Sequence, residues 1–214
     1  MENLDIFDAN MNFVGVSERN EAHKQGLWHK AFHCWIFDNE GNVIFQLRSK
    51  DKSTHPNLLD ISAAGHIASG ESEKDGIREL QEELGINVDY DDLKYIGIQL
   101  EVCDSNDFKI KSYKNREFCY TYLLKNNTLL SDFKLQKEEL GGIFKLSLKD
   151  AFKLFSKEVE TVSINGYEFD ENYNLLPFTK EVGLKDFVDH KNEYMLKILI
   201  MIERIIEGKK YLGV

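Results

Sequence analysis

Apolar and polar positions along this chain change period several times, and each change marks an element. LDIFDANMNFVGV, from Leu4 to Val16, reads as two short strands around a turn at Asn10. AFHCWIF (31–37) is a continuous apolar run, DNEGN (38–42) holds turn residues around Gly41, and VIFQLRS (43–49) is apolar again. Together they predict a hairpin with a four- or five-residue loop. Strand-like runs return at LKYIGIQLEV (93–102) and EFCYTYLLK (117–125). A helical period takes over at 73–84 and in LSLKDAFKLFSK (146–157). It returns in the last long segment, where Phe187, Val188, Tyr194, Met195, Ile198, Ile202, Ile205 and Ile206 predict an amphipathic helix ending near Gly208. That stripe reads as core packing, with a homodimer surface as the alternative. Strands mixed with flanking helices predict an α/β (α+β) fold around a mixed sheet.

Between these elements, DKSTHPNLLD (51–60) reads as a loop, and ISAAGHIASGE (61–71) is rich in small residues. Gly65 and Gly70 stand there where the backbone turns or admits a ligand. Ser72, with Asp75 three residues on, predicts a capping box for the 73–84 helix, and Gly85 predicts its stop.

Composition narrows the partners. Of 214 residues, 42% are hydrophobic and 30% charged, ordinary for a globular domain. Asp and Glu number 37 against 27 Lys and Arg, so the net charge of −10 argues against nucleic-acid polymers and anionic membranes. A small phosphorylated substrate remains open, because bound cations invert the local field. MENLDIFDANMNF has no basic start or apolar run, and YMLKILIMIERII (194–206) is too short to span a bilayer, so the expected location is the cytoplasm. Three widely spaced cysteines, Cys34, Cys103 and Cys119, fit reduced thiols better than disulfides.

On the 73–84 helix, Ile77, Leu80 and Leu84 share one face and Glu79, Glu82 and Glu83 fall largely on another, with Arg78 four residues before Glu82. Such a run is commonly a solvated face. Here the acids lie between glycine-bounded turns, with Glu71 and His66 just upstream. Clustered carboxylates suit Mg²⁺ or Mn²⁺, which relieve the repulsion and bridge to substrate phosphates.

These residues resemble the Nudix box: glycine, five residues, glutamate, seven residues, then Arg-Glu-apolar-any-Glu-Glu-any-Gly-apolar. Gly65 and Glu71 match its first half; Arg78, Glu79, Leu80, Glu82, Glu83, Gly85 and Ile86 match its second. One departure is that only Ser72 to Ile77, six residues, separate Glu71 from Arg78. The resemblance implies a Nudix α/β/α sandwich over residues 28–157, with an N-terminal strand extension (1–27) and a C-terminal extension (158–214) carrying the long helix. It implies Mg²⁺- or Mn²⁺-dependent cleavage of a diphosphate linkage in a nucleoside or other organic diphosphate, by water attack on phosphorus. Glu79, Glu82 and Glu83 become the metal ligands, with Arg78 orienting a carboxylate. Glu82, or a later glutamate such as Glu138 or Glu139, serves as general base; an ordinary solvated turn is the competing reading of those last two. Gly65, Gly70 and Glu71 fall to substrate binding.

The segment ahead of the box is similar to the Nudix branch that includes isopentenyl-diphosphate isomerase. That resemblance matches His23, His29, His66 and Glu117 to the isomerase's metal site, with Asn115 where a second strand glutamate would stand. His66 and Glu117 are then further metal ligands, and His23 and His29 bind a second metal, substrate, or buried partners. Ala64 occupies the position of the isomerase's catalytic cysteine, which favours a hydrolase over an isomerase; a noncatalytic ligand-binding domain is the third reading. Trp28, Phe118 and Tyr120 are core aromatics or base-stacking groups, and His55 and His190 read as surface residues.

Overall fold

The apolar run around Cys34 becomes the spine of a sheet in the computed structural model, which describes residues 2–105, 113–191 and 193–210. β1 (Asn3–Phe7) and β2 (Phe13–Glu18) form a separate hairpin, followed by α1 (Arg19–Gln25). β3 (His29–Phe37) and β4 (Asn42–Arg48) follow, then the short β5 (Leu59–Asp60) and β6 (Ala63–His66). After α2 (Arg78–Leu84) come β7 (Leu93–Ser105), β8 (Tyr113–Lys125), β9 (Leu140–Ser147) and α3 (Leu148–Phe155). β10 (Val162–Phe169), β11 (Leu175–Val182) and α4 (Tyr194–Ile206) complete the order.

The large sheet runs β11-β10-β9-β4-β3-β8-β7, with β5 on β4 and β6 on β3. β3 and β8 are parallel, His29 opposite Glu117, while the other pairs are antiparallel, so the sheet is mixed. A central strand between two helical layers must be apolar on both faces, and period-2 alternation divides β3 accordingly. Phe32, Cys34 and Ile36 pack with Leu80 and Leu84 of α2. Trp35 and Phe37 pack with Leu154 of α3 and Ile198 and Ile202 of α4. The result is the expected α/β/α layering.

Three local readings differ. The 73–84 segment opens as a 3₁₀ turn, Asp75–Ile77, and the α-helix begins at Arg78. Ser72 bonds Asp75 through its N–H (2.8 Å) and Oγ (2.7 Å), but this closes the turn rather than capping α2. The N-terminal segment is not strands alone: Glu18 caps α1 by accepting from the Asn20 and Glu21 amides, which positions His23. Phe187 and Val188 precede α4 as extended chain, Phe187 bridging to Leu59, because Asp186 and Gly183 close a 3₁₀ turn there.

The extended segment is held by a residue that was expected on the surface. His190 is buried, with Nδ1 3.0 Å from Glu101 Oε1 and Nε2 2.8 Å from Asp60 Oδ1. Asp60 also accepts from Arg48 at 3.0 Å. Burial opposes a charge on His190, but the two carboxylates outweigh it and raise its pKa to about 10. His190 therefore holds a proton that an unfolded chain releases above 6.5, so its contribution is complete below 6.5 and is lost as pH rises towards about 10. His190→Gln leaves buried Glu101 without its cation and Asp60 with Arg48 alone, and is expected to cost about 3–5 kcal/mol. Denaturant unfolding across that alkaline window should show stability falling more steeply with pH in the wild type than in the variant.

Candidate active site

Gly65 on β6 and Glu79 on α2 meet so closely that no side chain fits between them. A Cβ on Gly65 would lie 2.2 Å from Glu79 Cδ. Gly76 plays the same part against β3, where a Cβ would lie 2.6 Å from Phe32 Cβ. These two glycines let the first turn of the acidic helix sit directly on the sheet.

The shortened spacing before Arg78 is absorbed in that turn. Three residues of 3₁₀ helix rise about 6 Å, as far as about four α-helical residues. The 3₁₀ stretch Asp75–Ile77 thus recovers the missing residue's rise, and Glu71 still reaches Arg78. Arg78 Nε lies 3.1 Å from Glu71 Oε1 and Nη2 3.2 Å from Glu71 Oε2. The same guanidinium reaches Glu79 Oε1 (2.5 Å), Glu82 Oε2 (3.1 Å) and the His66 carbonyl (2.9 Å). The Arg78 hydrogen bond holds the Glu71 carboxyl below its usual range.

Glu79, Glu82 and Glu83 line one cavity of about 860 Å³, together with Gly65, His66 and Glu117. Burial pushes the Glu79 carboxyl up to about 7, against the pull of Arg78. Glu83 accepts from the Ala64 amide at 3.1 Å, yet burial and then the neighbouring Glu79 raise it well above the usual range. Two buried carboxylates on one helix take up protons unless a cation compensates them. Glu82 is half-exposed at the cavity mouth. Of the later glutamates, Glu139 lines the cavity and pairs with Lys52, while Glu138 is exposed and lies outside its wall.

A second group sits beside the first. His29 on β3, His66 on β6 and Glu117 on β8 are neighbours through strand pairing, and His23 reaches them from α1. Glu117 Oε1 is 3.4 Å from His29 Nε2 and 3.2 Å from His66 Nε2, and His23 Nε2 is 3.3 Å from His66 Nε2. His29 Nδ1 faces the Leu27 carbonyl at 2.8 Å and must donate to it. Its Nε2 is buried, faces the Glu117 carboxylate and makes no well-formed hydrogen bond. His23 Nδ1 is likewise buried without one. Burial, then the His66 and His29 rings, push His23 down to about 3, and burial lowers His66. Burial also opposes charge on Glu117, but the His29 and His66 rings outweigh it and hold that carboxyl well below its usual range. Ligand atoms of all four residues lie within 4.8 Å of one another. Asn115 donates to Glu117 Oε2 at 2.6 Å.

Some expected residues stand apart from the cavity. Gly70 forms the turn after β6 (φ 85°), its amide 3.3 Å from Asp5 Oδ2. Trp28 stacks on Phe118 at 4.6 Å, on the sheet face opposite Glu117. Conversely, His33, Asp60, Glu101 and His190 all line the cavity although no motif marks them. The alternation His29, Ala31, His33 was the available signal for the first of these.

Comparison with known proteins gives a consistent picture. The NUDIX domain profile matches residues 27–163. An uncharacterized Nudix hydrolase of Clostridium acetobutylicum is 37% identical over 201 residues, covering 92% of this chain and 95% of that protein. An isopentenyl-diphosphate Delta-isomerase of Serratia proteamaculans is 34% identical over 102 residues, 47% of this chain and 57% of that one. The crystal structure of DR0079 from Deinococcus radiodurans shares the fold, with a TM-score of 0.53 at 21% identity over 73% of this chain and 88% of that one. With Gly65, Arg78, Glu79, Glu82 and Glu83 gathered on one cavity, and with the relative matched over 95% of its length named a hydrolase, the chain is a Nudix hydrolase and belongs to the Nudix family.

Proposed function

We infer that this hydrolase cleaves a diphosphate linkage in a small organic diphosphate, with a divalent cation held by Glu79, Glu82 and Glu83. The observation that carries this reading is the convergence of the three carboxylates on one cavity, two of them buried with raised pKa values. Hard oxygen donors in that number suit Mg²⁺ or Mn²⁺. When bound, the cation supplies charge neutralisation for the phosphates and acidifies water. The chain's own residues do the rest. Arg78 fixes the carboxylates of Glu71, Glu79 and Glu82 relative to one another. Glu82, the least buried of the three, accepts the proton of the attacking water as general base. Glu139, tied to Lys52, is the alternative base from across the cavity.

The His23, His29, His66 and Glu117 group favours a second cation. Three imidazole nitrogens and one carboxylate suit Mn²⁺ or Zn²⁺ better than Mg²⁺. The same group motivates a second reading, isomerisation of an isoprenoid diphosphate. Ala64 weighs against it, since a methyl group neither gives nor takes a proton in a step that moves an alkene. Solvent deuterium appearing in the substrate alkene would overturn the hydrolase reading in favour of that one.

Phosphate-linked product release in Mg²⁺ from a panel of nucleoside and isoprenoid diphosphates is the direct test. Glu82→Gln is expected to lower turnover about 10²–10⁴-fold, the usual worth of a general base. Glu83→Gln should also lower it while leaving far-UV circular dichroism unchanged. No turnover on a broad panel, or wild-type turnover in both variants, refutes the assignment.

Stability gives a readout that needs no substrate. Glu79 moves from 4.5 to about 7 on folding, so in that window the folded chain binds more protons than the unfolded one. Its contribution therefore falls as pH rises through the window. In chelator, the unfolding midpoint of wild type relative to Glu79→Gln should decline over the same range. With Mn²⁺ at 100 times its Kd the wild type should regain about 2.7 kcal/mol, and the variant less.

A further inference from the structure

Below the three-histidine group, the same sheet face carries a second set of donors. Alternation puts His29, Ala31 and His33 on one face of β3, and Glu117, Cys119 and Thr121 beside them on β8. A His33 ring nitrogen, a Glu117 carboxylate oxygen and Cys119 Sγ lie within 4.8 Å of one another. His33 and Cys119 are buried, and both His33 and Ala31 line the cavity.

The hydrogen bonds behind His33 determine which of its nitrogens is bare. Tyr194 Oη receives the Trp35 Nε1 proton at 3.0 Å and stands 3.1 Å from His33 Nδ1 and 3.3 Å from Thr121 Oγ1. Thr121 donates its single proton to the Cys119 carbonyl at 3.0 Å, so towards Tyr194 it can only accept. Tyr194 gives its proton to Thr121, and its two lone pairs receive Trp35 and His33 Nδ1–H. All four contacts are then satisfied, and neutral His33 keeps an unprotonated Nε2. A histidine whose Nδ1–H is fixed by a neighbouring oxygen is oriented as metal-ligating histidines are.

Glu117 connects the two sets. Its Oε1 faces His29 and His66, whereas its Oε2 is 3.9 Å from Cys119 Sγ. We propose that His33, Glu117 and Cys119 form a further transition-metal site, next to the three-histidine group and sharing the Glu117 carboxylate with it. Nitrogen and sulfur donors select Zn²⁺ or Co²⁺ over Mg²⁺. Three protein ligands leave a fourth position for water or substrate. Cys119 binds as the thiolate, releasing its proton to solvent as the cation enters. The site depends on the three-histidine reading only through Glu117.

Chelator-stripped full-length protein loaded with Co²⁺ alone tests this. The wild type is expected to show a thiolate-to-cobalt charge-transfer band in the near ultraviolet. Cys119→Ser, Cys119→Ala and His33→Gln should each abolish it, and Cys103→Ser should retain it. Absence of the band in wild type, its survival in either Cys119 variant, or its loss in Cys103→Ser overturns the proposal. His23→Ala separates the two sites. A retained band with less bound cobalt supports both; a retained band with unchanged cobalt sinks the three-histidine reading and leaves this one standing. A lost band shows a single shared centre and overturns it. Should the buried variants fail to fold, X-ray absorption of Zn²⁺-loaded wild type decides the matter: a sulfur scatterer at about 2.3 Å is expected, and its absence is decisive against the site.

Discussion

One guanidinium organises the acidic half of this site. Arg78 touches Glu71, Glu79, Glu82 and the His66 carbonyl, so it ties the helix to the loop before it and to the strand that carries His66. Its own charge is stabilised there: burial opposes it, but the Glu71 hydrogen bond and the surrounding carboxylates outweigh burial and raise its pKa further. Yet it reaches only part of the acidic load. Glu83 accepts from a single backbone amide, and Glu79 stays short of full ionisation near neutral pH. One arginine among four glutamates leaves a deficit, and Arg78, Glu79, Glu82 and Glu83 all line the cavity.

Much of this was legible in the sequence because the signals are local. The apolar run of β3 and the Gly41 turn set the hairpin, and the box residues fixed both the helix and the cavity face it presents. His66 and Glu117 were readable through the resemblance. What escaped was set by distant contacts. His190 has polar flanks, Asp189 and Lys191, and nothing near it in sequence says that Asp60 and Glu101 will enclose it. β10 and β11 form without a motif, β10 held by pairing to β9 and β11 by pairing to β10. The helical stripe ran too early, through Phe187 and Val188, because apolar spacing alone does not reveal a chain pairing with Leu59. The box shortened by one residue is the reverse case: the deviation was visible, but the 3₁₀ turn that absorbs it was not.

The two donor groups differ in hardness, and the difference follows from where they are built. The oxygen group comes from one helical turn, where side chains three and four apart crowd together and long carboxylates reach outward. The nitrogen group comes from three paired strands and α1, where cross-strand neighbours stand about 5 Å apart and shorter rings meet tip to tip. A cation that prefers six oxygens has little use for the second group, and one that prefers imidazole has little for the first. Occupying both does not require one metal to compromise.

The shared face of β3 then links site and scaffold. Trp35, two residues beyond His33, is a core residue against α4, and its indole N–H ends on Tyr194, the first residue of that helix. Tyr194 in turn touches His33, and His190, four residues earlier, holds Asp60 and Glu101 on the cavity wall. The C-terminal segment is therefore bonded to the cavity at two points, one neutral and one charged. Displacing it would strand Glu101, leave Asp60 with Arg48 alone, and release the ring that His33 depends on. Residues remote from the box thus set the shape and charge of the cavity floor, which is the part of the wall that the box leaves unspecified.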